Sequence, residues 1–513
     1  MPKQKTTTLI IMDGWGIANP KNKGNPITPK NAPHYFSWLK KFSYTQLSAS
    51  GEDVGLFKGE DGNSEAGHLN LGAGRVVKQD AVYVSDAIND GTFFKNSAFL
   101  QAIHHLKKYQ TAAHVMGLLS NHNSAHSCPE HLYALLELLR REGIKKVFLH
   151  LFTDGRDSGQ HDAPKHLKKL EEQMRGEKIA TVMGRFYAMD RGKTWERVEG
   201  AYNAIVFGKS KVTAKNAAEA IAQAYNKNET DEFISPTVIT DQGKPIATIK
   251  DNDAIFFFNL RSDRARELTK AFVQLDFEKI NPGAFDRDGV PNNTRFVAMT
   301  DFGPDLPGVL TAFPSRDVDQ SLVQVLCPRR QYYIAESEKF AHVTYFFNGG
   351  YAQHFCEENW VKVESKKVIS YAENPQMSAR AVANSVVAAI ESGQYEFICV
   401  NFANPDMVGH TGDLTAGVKA VSAVDGEIDR VIKTLIKNGG QGIITADHGN
   451  IEEMINLKTG EIDTEHSSNP VPCILVGIKA KKMRSGKLAD VAPTILKMMG
   501  IKKPKEMTGR ALY

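Results

Sequence analysis

Short apolar runs recur along the chain, and each stops at a polar or glycine-rich segment. Residues 8–12, 146–152, 179–183, 254–258, 397–402 and 442–444 have this form. Runs this short, bounded by turn formers, predict buried strands. Between them lie segments with apolar residues every three to four positions, at 163–175, 216–225, 379–390 and 415–437. These predict amphipathic helices. Strands alternating with helices predict an α/β fold with layers around mainly parallel sheets. In such sheets functional groups gather beyond the carboxyl ends of strands, so the residues just after each run are where chemistry is expected.

Those residues fall into two sets. The first is rich in oxygen and imidazole donors. Run 8–12 ends in Asp13-Gly-Trp-Gly16, run 397–402 leads into Asn404-Pro-Asp-Met-Val-Gly-His410, and run 442–444 leads into Thr445-Ala-Asp-His-Gly-Asn450. Adjacent Asp447 and His448 offer an oxygen and a nitrogen to a divalent ion. Asp406 and His410 are four residues apart, which places them on one face if that turn is helical. His466 follows in Thr-Glu-His-Ser. Each motif alone reads as a turn with polar residues, and Asp13 alone as an Asp-Gly turn. Three together, each after an apolar run, point to metal. Gly62-Asn-Ser-Glu-Ala-Gly-His68 sets Ser64 between glycines. It reads as a helix N-cap or, with a metal to lower its pKa, as a nucleophile. Gly72-Ala-Gly74 lacks a third glycine and a preceding strand, which excludes a dinucleotide loop.

The second set is rich in arginine. Arg156 and Asp157 follow run 146–152, Arg185 and Arg191 follow 179–183, and Arg261 and Arg264 follow 254–258. Guanidinium forks bind phosphate and carboxylate bidentately, so a small substrate bearing both groups fits. His126 adds a candidate donor, although a lone loop histidine is ordinarily exposed. The metal-type motifs are early and late, and the arginines lie between. If early and late motifs share one site, the middle is an insertion. We expect a discontinuous metal-binding domain at 1–77 and 311–513, interrupted by a substrate-binding domain at 78–310.

Composition narrows the class. A chain of 513 residues has room for two cores. Lys+Arg 63 against Asp+Glu 59 is too balanced for a dedicated nucleic-acid binder. The five cysteines are spread out and form no Cys-x-x-Cys, which argues against a disulfide framework or zinc ribbon. No stretch is long enough to span a bilayer, and the apolar run 9–12 is too short for a signal peptide. We expect a cytoplasmic monomer with a small-molecule substrate and no nucleic-acid or membrane partner.

The ordered motifs resemble the cofactor-independent phosphoglycerate mutases of the alkaline phosphatase superfamily. The resemblance runs through those quoted above and through Asp154-Gly-Arg-Asp157, Gly184-Arg-Phe-Tyr-Ala-Met-Asp-Arg191, Asn259-Leu-Arg-Ser-Asp-Arg264, Phe346-Phe-Asn-Gly-Gly350 and Asn469-Pro-Val-Pro472. It implies an alkaline-phosphatase-like metal domain with a phosphotransferase domain inserted. It implies interconversion of 3-phosphoglycerate and 2-phosphoglycerate, in glycolysis and gluconeogenesis, without 2,3-bisphosphoglycerate. Ser64 would carry the phosphoryl group as a phosphoserine. Asp13, Ser64, Asp447 and His448 would hold one divalent metal, and Asp406, His410 and His466 the other. Mn²⁺ is expected ahead of Mg²⁺, Co²⁺ or Zn²⁺. His126, Arg156, Asp157, Arg185, Arg191, Arg261 and Arg264 would bind substrate. Lys339 would lie beside the phosphoryl group, and Asp157 would be the base. The chain departs from the family at Asn121-His-Asn-Ser-Ala125, where a Gly-Gly-rich loop is usual, and at Ser158-Gly-Gln160, Ser262 and Ala66. A phosphatase or phosphopentomutase of the superfamily would lack the full arginine set. A non-catalytic phosphoglycerate or metal sensor would have lost the nucleophile or a ligand.

Overall fold

The computed structural model describes residues 5–122, 124–316 and 318–513. Asn123, within the unusual 121–125 loop, lies outside them. The chain divides into two compact units, residues 1–79 with 316–513, and residues 80–315. Each is an α/β layer structure with its own sheet.

The first unit is built on an eight-stranded sheet. Its central strand, Thr7–Met12, is buried at every residue, as a strand covered on both faces must be. It pairs in parallel with Phe397–Phe402 on one side and Gln441–Thr445 on the other. Gln331–Glu336 and Glu358–Val363 extend the parallel part. Val471–Val476 and Ser43–Ser48 add an antiparallel flank. The sheet is thus mainly parallel, as the sequence pattern predicts. The antiparallel flank went unpredicted because Ser43–Ser48 alternates with polar residues and is only part-buried. The longest helix, Leu414–Lys437, starts where the Asp413 carboxylate accepts from the Ala416 amide at 3.0 Å, satisfying one of the orphan donors of its first turn. Its apolar stripe, Val421, Val424, Ile428, Val431, Ile432 and Leu435, is buried. Truncating one such residue, Ile428→Ala, costs about 2–5 kcal/mol.

The second unit carries strands in the spatial order Val309–Phe313, Arg295–Thr300, Ala254–Phe257, Ala113–Leu119, Val147–Thr153, Lys178–Gly184, Thr237–Asp241 and Val212–Ala214. The neighbours are parallel except Lys178–Gly184 with Thr237–Asp241. Alternate residues of Ala113–Leu119 enter different cores: Val115 and Leu119 one, Met116 and Leu118 the other. That is the period of two expected of a strand between two helical layers. Strand order runs outward from Ala113–Leu119 in opposite directions, so the crevice between it and Ala254–Phe257 is a topological switch point, where open α/β sheets bind ligands.

The cysteines depart from expectation. Cys327 and Cys356 form a disulfide with Cα atoms 5.9 Å apart, while Cys128, Cys399 and Cys473 are free and buried. One bridge across 29 residues is a local staple and no framework. Among the described residues, no helix is long and apolar enough to cross a membrane.

Candidate active site

Register explains the first cluster. Met12 pairs with Phe402 and Ile11 with Thr445, so three parallel strands end side by side. Asp13, Asp406, Asp447 and His448 leave the sheet at that shared edge. The helix Asn404–Gly409 begins at once after its strand, and the i, i+4 pair it carries meets, with His410 Nε2 3.3 Å from Asp406 Oδ1. Glycines permit the close approach. A side chain at Gly67 would put its Cβ 2.6 Å from the Asp447 carbonyl oxygen, and one at Gly14 2.8 Å from Asp406 Cα. Gly14 also has φ of +69°, a conformation that favours glycine.

Ser64 opens the helix Ser64–Ala73 but does not cap it. Asn63 is the cap, accepting from the Ala66 amide at 2.9 Å. The Ser64 hydroxyl therefore turns to the cluster. Lys339 Nζ donates to Ser64 Oγ at 2.6 Å, while Asp13 Oδ1 and His448 Nε2 lie at 3.2 and 2.9 Å. The same ammonium reaches Asp406 Oδ2 at 2.7 Å and Asp13 Oδ1 at 2.8 Å. Burial opposes each of these charges. Lys339 nevertheless holds Asp13 and Asp406 below the usual carboxylate range, and they raise its ammonium above its own. Burial likewise disfavours a charged His448, yet Asp447, Asp13 and Asp406 lift its imidazole to about 10.

Three histidines share one orientation. Nδ1 of His410 faces the Thr464 carbonyl at 2.7 Å, that of His466 the Gly62 carbonyl at 2.8 Å, and that of His448 the Gly449 carbonyl at 3.2 Å. A carbonyl only accepts, so each Nδ1 carries a hydrogen and each neutral ring presents the Nε2 lone pair. Those atoms converge. Nε2 of His410 and His466 are 3.1 Å apart, and His466 Nε2 is 3.2 Å from Asp406 Oδ1. The donors fall into overlapping sets: Asp406, His410 and His466; Asp13, Asp406 and His448; Asp13, His68 and Asp447. The buried Asp447 Oδ2 has His68 Nδ1 at 3.1 Å and no well-aligned hydrogen bond. Three buried carboxylates and three aimed imidazoles fit divalent cations of borderline character.

The second cluster lies at the switch point. Arg185, buried, bridges Asp154 at 2.5 Å and Asp157 at 3.0 Å. Ser124 Oγ donates to Asp157 Oδ2 at 2.7 Å and accepts from the His126 amide at 3.1 Å. His126 is buried, contrary to the ordinary expectation for a loop histidine. Burial first, then Arg185, depresses its ring to about 4. Burial raises the Asp157 carboxyl, but Arg185 and Ser124 outweigh it and hold it low. Arg156, Arg185 and Arg264 line one cleft of about 220 Å³ with Phe186, Met189 and Glu232. Burial, then repulsion from Arg185, Arg191 and Arg156, lowers the Arg264 guanidinium, the signature of a site that favours an anion. Arg191 and Arg261 flank Asp263 at 3.1 and 3.5 Å. The arginines thus gather after the strand ends that carry them. Arg261 is the cap of the Ser262–Val273 helix, and Arg264 lies within it.

Comparison with known proteins agrees with this arrangement. A phosphoglycerate mutase from Methanosarcina barkeri, named as 2,3-bisphosphoglycerate-independent, is 47% identical over 98% of both chains. The chain belongs to this family. A further member from Acetivibrio thermocellus is 43% identical over 99% of both chains. A solved Leishmania mexicana phosphoglycerate mutase, crystallised at low cobalt concentration, matches with a TM-score of 0.79 and 30% identity, covering 99% of this chain and 98% of that one. The family model for the N-terminus of the BPG-independent mutases matches residues 84–304, inside the second unit.

Sequence reasoning left several neighbours of the cluster in this mutase without a role. His68 Nδ1 lies 2.9 Å from the Ser64 carbonyl and 3.1 Å from Asp447 Oδ2. Asn401 donates to Asp13 Oδ2 at 2.6 Å, and Asn450 to Asp406 Oδ1 at 2.9 Å. Glu452 accepts from the Gly16 and Asn450 amides, both at 2.9 Å. His68 and Asn450 stood inside quoted motifs. Asn401, the only polar residue of an otherwise apolar strand, was the signal available and unused.

Proposed function

We propose that the isomerisation family membership assigns to this chain, 3-phosphoglycerate to 2-phosphoglycerate and back, runs through a phosphoserine at Ser64. The observation that carries this reading is the surroundings of the Ser64 hydroxyl: an ammonium at 2.6 Å, an imidazole nitrogen at 2.9 Å and a carboxylate at 3.2 Å. Two divalent ions, Mn²⁺ foremost, held by Asp13, Asp406, His410, Asp447, His448 and His466 with Ser64, would lower the hydroxyl's pKa and neutralise phosphoryl charge. Ser64 Oγ gives up its proton as it attacks phosphorus, the bond to the glycerate oxygen breaks, and that oxygen takes up a proton. Lys339 stabilises the charge on the transferring group. The arginines and His126 hold the glycerate meanwhile. Its other hydroxyl loses a proton to Asp157 and attacks the phosphoserine, the bond from phosphorus to Ser64 Oγ breaks, and that oxygen is reprotonated.

Asp157 needs a physical account, because Arg185 makes it a weak base. The same contact keeps it ionised and able to accept a proton. Engagement of Arg185 by a substrate anion would relieve the pull and strengthen the base. The setting we propose is cytoplasmic, as a monomer. The test is acid-quenched enzyme turning over 3-phosphoglycerate, digested and examined by mass spectrometry. Phosphate on the Ser64 peptide supports the route. Phosphate on another residue, or on none at any quench time, rejects it.

A further inference from the structure

The segment leading into the Pro129–Arg141 helix gathers three donors that the reaction does not use. Cys128 Sγ lies 3.1 Å from Glu130 Oε2 and His122 Nδ1 3.2 Å from the same oxygen. All three residues present ligand atoms within 4.8 Å of one another. Ligands at ordinary zinc bond lengths of ~2.0–2.3 Å on a tetrahedron stand roughly 3.3–3.6 Å apart. The observed separations need only a few tenths of an ångström of expansion.

A second feature lies beside them. His122 and Glu130 line a cleft of about 180 Å³ together with Tyr133, His166 and Lys169. His166 is only 6% exposed, and its Nε2 has no hydrogen-bond partner. Burial, the largest influence, lowers its pKa and so favours the neutral ring. An unsatisfied imidazole nitrogen in the wall of a cleft shared with a carboxylate and a second imidazole is what a cation site requires. The Cys128 thiol is pushed up to about 12, by burial and then by Glu130, which makes it a poor nucleophile.

We propose that His122, Cys128 and Glu130 form a separate, thiolate-bearing site for a borderline divalent ion of the zinc and cobalt type. Water in the cleft supplies the fourth position. Binding forms a metal–sulfur bond, breaks the Cys128 S–H bond and releases one proton to solvent per ion.

The test uses the full chain as isolated, without reductant, titrated with Co²⁺. The strand-edge ligands include no sulfur, so a near-ultraviolet thiolate-to-cobalt charge-transfer band reports this site alone. Wild type should develop the band. Cys128→Ser should lose it and bind one cobalt fewer by elemental analysis, with mutase activity unchanged. His122→Ala, on an exposed loop where folding is not at risk, should keep the fold and need more cobalt for the same band. No band in wild type, a band undiminished in Cys128→Ser, or an unaltered titration in His122→Ala would each overturn the proposal.

Discussion

The two units solve opposite problems with charge. In the first, Asp13, Ser64, Lys339, Asp406, Asp447 and His448 are all buried, and each is fixed by a strand end or helix start. In the second, Arg185 of the candidate substrate arginines is buried, while Arg191 and Arg156 leave 60% and 50% of their side chains exposed. Phosphoryl transfer gains from dipoles and charges set before the reaction, in a site where water does not screen them. Capture of an anion gains from long, partly solvated side chains that reach outward. The first unit therefore stores electrostatic strain, and the second keeps conformational freedom. The consequences of substitution should divide along the same line.

The largest effect falls on the buried hydroxyl. Ser64→Ala should lower turnover on the order of 10⁵-fold and leave the circular dichroism spectrum unchanged, since the hydroxyl is not the helix cap. Residual activity within tenfold of wild type would remove Ser64 from the mechanism. Next comes Lys339→Met. It takes away the ammonium that touches Asp13, Asp406 and Ser64. Breaking a buried pair costs about 3–5 kcal/mol, and loss of charge stabilisation on the order of 10²–10³ in turnover. Divalent metal should restore much of the stability, because a cation then replaces a cation. Chemical unfolding with and without Mn²⁺ checks this; equal losses in both conditions would mean that Lys339 serves packing alone.

Acidity acts with opposite sign on His448 and on two buried histidines of the second unit. His448, raised to about 10, contributes stability in the metal-free chain that is complete below its unfolded value of ~6.5 and is lost as pH climbs toward 10. His126 and His131 in the second unit are depressed to about 4, chiefly by burial. The unfolded chain protonates them below ~6.5 while the fold resists, so their effect is a loss of stability from ~6.5 down to 4. A metal at His448 must displace its proton, so metal affinity should rise about tenfold per pH unit near neutrality. Calorimetry in two buffers of different ionisation enthalpy should find about one proton released per ion at that position. Metal uptake without proton release would contradict the raised imidazole.

The same contrast explains what was legible in the sequence. Buried apolar runs fix strands, and parallel strands ending together fix where Asp13, Asp406, Asp447 and His448 meet, so local pattern suffices for them. Taken alone, Ser64 read as a helix cap ahead of a nucleophile, and the structure places Asn63 in the capping role. Asp406 lies within 3.9 Å of His410, His448 and His466, and only the first of these contacts has a trace in spacing. The arginines were legible as a set but not as a geometry. Their long side chains choose partners such as Asp263 and Glu232 from distant parts of the sequence, and no periodicity encodes that choice. The Ser43–Ser48 strand and the Cys327–Cys356 bridge were missed for the same reason, since long-range partners define both.

The smallest effects, and the sharpest test of the second unit, come from comparing two arginines. Arg264 lines the cleft with Arg156 and Arg185, whereas Arg191 is solvent-exposed and already paired with Asp263 at 3.1 Å. An exposed ion pair is worth about 0–1 kcal/mol, so Arg191→Ala should raise KM only severalfold and leave the ratio of products unchanged. Arg264→Ala should lower isomerisation about tenfold, the effect of roughly one charge-assisted bond. It should also change the fate of the phosphoryl group. If the cleft retains glycerate while Ser64 holds phosphate, weaker retention lets glycerate leave, and water then attacks the phosphoserine. Inorganic phosphate and 2-phosphoglycerate measured in one reaction should therefore show hydrolysis rising relative to isomerisation in Arg264→Ala alone. A proportional fall of both products would mean that Arg264 binds substrate without retaining the intermediate. A raised ratio in Arg191→Ala as well would show that exposure does not distinguish the two residues, and the division drawn between the units would fail at its weakest point.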